Sequence, residues 1–197
     1  DQYQNLFSAM IEDWRESWGY EFPFYYVQIA PFTEEGNVGV REAQRKTLET
    51  TENTGMVVLM DIGERDDIHP HNKQDVGKRL ALLALDKDYG FNFVSSGPLY
   101  KKHRAEGKFL YVDFDGKGSG LKFINGKNGF EIAGNDNKFY PATAEIVDNK
   151  IRVYSKNVKN PKNVRYGWRN WTVGTLFNKE GLPASSFSSI NWVIKIW

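Results

Sequence analysis

The chain has 197 residues and a formal net charge of +1, from 26 Lys+Arg against 25 Asp+Glu. That near balance argues against a nucleic-acid binder, which usually carries a basic stripe, and no stretch approaches the roughly 20 apolar residues of a membrane helix. With no cysteine, thiol catalysis, disulfides and cysteine-based zinc sites are excluded.

In chain order, the first ninety residues alternate helix and strand signals. "QNLFSAMIEDWRESWG" places Leu6, Met10, Trp14 and Trp18 at three- and four-residue spacing with Gly19 as a stop, which predicts a helix near 3–18. "FPFYYVQIA" is a short apolar run rich in aromatic and β-branched residues, a strand near 23–30 buried on both faces. "NVGVREAQRKTLETTEN" returns to helix near 37–50, and "GMVVLMDIG" is a second buried strand near 56–61. A helix over 72–88 follows, with Asn72 as its N-cap and Asp75 at its positive end. Val76, Leu80 and Leu83 form its apolar face, widened by Ala81, Leu82 and Leu85. Such alternation predicts a parallel α/β sheet. Two strands make an incomplete one, so the chain is expected to be the C-terminal portion of a longer protein.

Beyond Gly90 the texture changes. "SSGPLYKK" carries breaker residues and reads as a linker. Short alternating segments follow, among them "KFLYVDFD", "GFEIAG", "KIRVYS", "VRYGW" and "WVIKIW", with a hairpin turn expected at Asp148-Asn149-Lys150. The division is therefore an α/β part over 1–90 and a β-sandwich-like part over 91–197. Six tryptophans are more than a minimal core requires. Tyr166, Trp168 and Trp171 in "VRYGWRNW" suit either a sandwich core or a glycan-binding surface.

The loop "DIGERDDIHPHN" leaves the carboxyl end of the second strand, where open α/β sheets bind ligands. Its Asp66-x-x-His69 spacing lets a carboxylate hold one ring nitrogen while the other takes a proton from a serine hydroxyl. The same pattern fits a solvated loop histidine. A third reading makes Asp61, Asp66, His69 and His71 a metal site, although no metal-ligand motif fixes one.

"DIGERDDIHPHNKQDVGKRLALLALDKDYG" resembles the C-terminal signature of the sialate O-acetylesterases, in the SGNH (GDSL-like) hydrolase superfamily. "LFSAMIEDWRESWG…FPFYYVQIAPF", "REAQ" at 41–44, "SGPLY", "GFEIAGNDNKFYPATAEI", "VRYGW" and "LFNKEGLPASSF" continue the likeness in order. The resemblance implies the C-terminal part of a parallel-sheet hydrolase domain followed by a β-sandwich-like domain. It implies an O-acetylated sugar as substrate, sialic acid first among them, with xylan-type sugars the alternative. No cofactor is implied, and a periplasmic or extracellular place follows from it. His69 becomes the general base, Asp66 or Asp67 its orienting acid, and Arg41 and Gln44 either line the site or serve structural packing. The family's serine sits in a Gly-Gln-Ser-Asn-like element, and none occurs in these 197 residues. The partner expected is thus an N-terminal remainder carrying that serine. The chain alone is expected to be inactive.

Overall fold

A computed structural model describes residues 2–190. The expected strand "WVIKIW" lies outside them. The first part runs α1 (Gln2–Trp18), β1 (Phe24–Val27), α2 (Asn37–Thr50), β2 (Thr54–Val57) and α3 (Lys73–Lys87). β1 and β2 pair in parallel, Phe24 opposite Thr54 through Val27 opposite Val57, as a two-stranded sheet. Both strands are shorter than their apolar runs, because Ile29, Ala30 and Val58–Met60 continue beyond the ladder, with Ala30 and Leu59 packed on Leu83 of α3.

The helices lie where the periodicity places them, but α1 turns a different face inward. Leu6, Trp14 and Trp18 are exposed, while Ile11 and Arg15 are buried. Phe7 sets that orientation: its ring meets Tyr26 edge-on at 4.9 Å. Arg15 then donates to the carbonyls of Phe22 and Asn53, tying the helix to the starts of both strands. α3 packs as its pattern predicts, with Leu83 buried among Ala30, Val57 and Leu59 and with Val76 and Leu80 against them.

The second part is antiparallel throughout. β3 (Leu99–Glu106), β4 (Phe109–Asp115), β8 (Thr143–Val147) and β9 (Lys150–Tyr154) form one sheet in the order β3-β4-β9-β8. β6 (Phe130–Ala133), β7 (Tyr140–Pro141), β10 (Asn163–Tyr166) and β12 (Phe187–Ser188) form another, ordered β12-β10-β6-β7. β5 (Leu121–Phe123) pairs with β11 (Leu176–Asn178). All three contribute to one core, in which Val112, Phe114, Ile132, Val153, Leu176 and Phe187 are buried together. The β8–β9 hairpin is tighter than expected. Val147 pairs with Lys150, so Asp148 and Asn149 alone make the turn. Both have positive φ (49° and 54°), as a two-residue turn that matches strand twist requires.

The expected linker is pinned rather than loose. Ser95 donates to Asp86 at 2.6 Å, and Asn178 donates to the Ser96 carbonyl. A Cβ on Gly97 would lie 2.0 Å from the Pro183 carbonyl oxygen, so only glycine permits that approach.

Buried polar contacts join the two parts at the carboxyl end of the parallel strands. Gln28 donates to the Arg41 carbonyl (3.0 Å) and to the Ser185 hydroxyl (2.8 Å). The amides of Gly174 and Phe32 reach the carbonyls of Met60 (2.7 Å) and Asn170 (3.1 Å). Arg41, on α2, is 0% exposed. It donates to the carbonyls of Gly167 (3.5 Å), Arg169 (2.5 Å) and Asn170 (3.1 Å), to the Ser186 hydroxyl (3.2 Å) and to the Asn37 side chain. Burial pulls its guanidinium down to about 10, which leaves it charged at neutral pH. Replacing it strands several buried carbonyls, each costing about 1–3 kcal/mol. Arg41→Met is expected to lower unfolding stability by about 3 kcal/mol or more, read as a shift of the urea midpoint.

Candidate active site

Asp61 ends the run that β2 begins, and it is already spoken for. Its carboxylate takes both Arg79 Nη atoms, at 2.8 and 2.6 Å, and Arg79 also donates to the Val58 carbonyl. This bidentate pair fixes α3 to the strand end and sets where the loop over residues 62–72 starts. At the other end, Asn72 Oδ1 accepts from the Asp75 amide at 3.1 Å, capping α3 as its sequence predicts. The histidine loop is thus held at both ends.

Within it, Asp67 Oδ1 accepts the His69 backbone amide at 2.8 Å, an Asx turn that folds the chain back on itself. The same oxygen lies 3.6 Å from His69 Nδ1. That distance exceeds the 3.2 Å of a good hydrogen bond. The ring is left beside the carboxylate because the oxygen is engaged by the residue's own amide. His69 is 84% exposed, so its remaining nitrogen has open space before it. Asp66, which the four-residue spacing singles out, is exposed, and Asp67 is the acid beside the ring.

His71 has its own partners: Glu64 at 2.8 Å from Nδ1 and Asp67 at 3.6 Å from Nε2. Glu64 also accepts the His71 amide. Among the described residues, the group with ligand atoms close enough for a cation is Glu64, Asp67 and His71. That differs from the sequence-based set of Asp61, Asp66, His69 and His71, from which Arg79 has withdrawn Asp61. The Glu64–His71 pairing was missed because their spacing matches no familiar motif.

Arg41 and Gln44 are both buried. Arg41 is consumed by the contacts above. Gln44, 4% exposed, accepts the Ile29 amide and donates to the Val27 carbonyl, closing the end of β1. Between them Glu42 pairs with Arg45 at 2.9 Å. Every polar residue of "REAQ" makes structural contacts, the packing alternative of the two readings that the motif left open.

Of the aromatic trio, Tyr166 belongs to the core, its buried hydroxyl accepting from the Thr175 and Leu176 amides. Trp168 and Trp171 are half-buried and line a cavity. Two serines near the junction, Ser185 and Ser186, are 0% exposed and cannot meet a substrate.

The His69 amide holds the Asp67 carboxyl below the usual range. A carboxylate with a depressed folded pKa stabilises its turn above the unfolded value, and that contribution is lost as pH falls through the folded one. A ¹³C carboxyl titration by NMR should therefore give Asp67 a midpoint below that of an ordinary aspartate. An ordinary midpoint would mean that the turn does not form.

No family model matches the chain. The mouse sialate O-acetylesterase is 28% identical over 201 residues, covering 87% of this chain and 37% of its own length. The human sialate O-acetylesterase is 34% identical over 125 residues, 52% of this chain and 24% of that protein. Among solved structures, a novel carbohydrate acetylesterase from Xanthomonas citri superposes with a TM-score of 0.90 at 40% identity, over 97% of this chain and 46% of that one. The chain spans less than half the length of each of these relatives. By sequence it resembles the sialate O-acetylesterases and by fold a carbohydrate acetylesterase, as its motifs imply.

Proposed function

We propose that this chain carries the general-base half of a carbohydrate O-acetylesterase site, with O-acetylated sugars, sialic acid first among them, as substrate. The observation that carries the reading is the placement of His69. It sits on a loop anchored at the carboxyl end of a parallel strand and by the cap of α3, with Asp67 beside Nδ1. The likeness to named acetylesterases supports it.

The chemistry follows from that placement. With Nδ1 toward Asp67, Nε2 takes the proton as a serine hydroxyl attacks the acetyl carbonyl. Collapse of the tetrahedral intermediate breaks the bond to the sugar oxygen, which receives the proton from His69 and leaves as a hydroxyl. A water, deprotonated by the same histidine, then attacks the acetyl-serine carbonyl; acetate leaves and the serine oxygen takes the proton back from His69. Asp67 holds the ring and stabilises the imidazolium. The serine and most of the oxyanion donors belong, in this reading, to an upstream part of an SGNH-type domain. The exposed Leu6, Trp14 and Trp18 of α1 are an apolar surface suited to being covered by such a part. An exported enzyme is the compartment that this substrate favours.

Three preparations test the reading: this chain, a longer protein carrying the serine motif, and that protein with His69→Ala. Expected on p-nitrophenyl acetate are no turnover above free imidazole for the first, activity for the second, and a loss of about 10²–10⁴-fold for the third. Full activity in the His69→Ala protein would sink the assignment. A finer comparison separates the acids: Asp67→Asn should lower kcat, and Asp66→Asn should leave it near wild type. The reverse order would make Asp66 the orienting residue.

A further inference from the structure

Next to the segment that Arg41 clamps lies a cavity of about 270 Å³, lined by Asn128, Glu131, Trp168, Arg169, Trp171 and Thr172 among others. The esterase chemistry above leaves it unused. Its volume falls just under the roughly 300–1,000 Å³ of pockets that enclose drug-sized ligands, which suits a single six-membered ring.

The lining has a mixed chemistry. Two half-buried indoles supply apolar, π-rich surface. Glu131, held by Arg165 at 2.9 Å, offers fixed acceptor oxygens, while the exposed Asn128 and Arg169 add an amide and a guanidinium. A pyranose presents the matching pattern. The C–H face of its ring carries partial positive charge and meets an indole face, and its hydroxyls both donate and accept.

The walls are set before any ligand arrives. The Gly167 amide donates to the Gly129 carbonyl at 2.9 Å, and Thr175 Oγ1 donates to the Asn128 carbonyl at 2.9 Å. Arg41 holds the carbonyls of Gly167, Arg169 and Asn170 from behind. A ligand entering here orders little backbone, which lowers the cost of binding. Asn170, between the lining residues Arg169 and Trp171, also accepts the Phe32 amide after β1 and, through Oδ1, the Val38 amide on α2, which fixes this segment to the first part.

We propose that this cavity is a binding subsite for one pyranose ring of the glycan. The choice of a sugar rests on the esterase reading, whereas binding itself requires no ester cleavage. The test is ligand-observed saturation-transfer NMR and a fluorescence titration of this chain with N-acetylneuraminic acid and, separately, with xylobiose. Neither probe carries an O-acetyl ester, so a failure here leaves the esterase reading standing. Saturable binding of at least one sugar is expected, weakened at least about tenfold by Trp171→Ala and unaffected by Trp14→Ala on the exposed face of α1. Asn128→Ala, at an exposed position, gives the same readout should Trp171→Ala fail to fold. Which sugar binds identifies the ring that the subsite accepts. No saturation by either probe, or wild-type affinity in the folded cavity variants, overturns the proposal.

Discussion

The buried guanidinium of Arg41 is the contact on which the rest of the structure depends. A cation shut away from water is costly unless its donors are satisfied, and here they are met by oxygens rather than by a carboxylate. Those oxygens belong to α2 itself, to the segment after β10 and to the buried serine before β12. One side chain thereby fastens the antiparallel part to the end of the parallel pair. Gln28 and the Met60–Gly174 contact reinforce the junction on either side. The edge from which the His69 loop departs is built by both parts together.

That arrangement explains what the sequence could and could not convey. The three helices, the two parallel strands and a hairpin turn at Asp148-Asn149, though one residue shorter than expected, follow from local patterns. The inward face of α1 does not follow from spacing, because Phe7 and Arg15 are chosen by partners on β1 and β2 rather than by the helix's own periodicity. Arg41 and Gln44 were site candidates only through the likeness of "REAQ" to a family motif, and that likeness fitted structural packing equally well. The carbonyls that Arg41 holds are more than 120 residues away in sequence, and no local pattern could announce them. The acids by His69 were ambiguous for a related reason. Spacing favoured Asp66, whereas the Asx turn at Asp67 places that carboxylate 3.6 Å from the ring.

The proposed function makes this loop one wall of a catalytic centre. Its supports are firm, with Asp61 bound twice by Arg79 and Asn72 capping α3. Its working groups are exposed and loosely engaged, His69 lying 3.6 Å from the carboxylate and largely in solvent. Catalytic hydrogen bonds often tighten only when the reacting groups are in place. Firm loop ends and an open ring are what the proposed base would need on one side of a composite site.

Chemical rescue tests the role of His69 most directly. With the ring removed in a serine-bearing longer protein, as His69→Gly, added imidazole should enter the vacated and solvent-open position and restore esterase activity in proportion to its concentration. The Asp67→Ala protein, which keeps its own ring, should gain nothing comparable. An active parent whose His69→Gly form stays inactive at every imidazole concentration, or loses no activity at all, would contradict the assignment of His69 as the base.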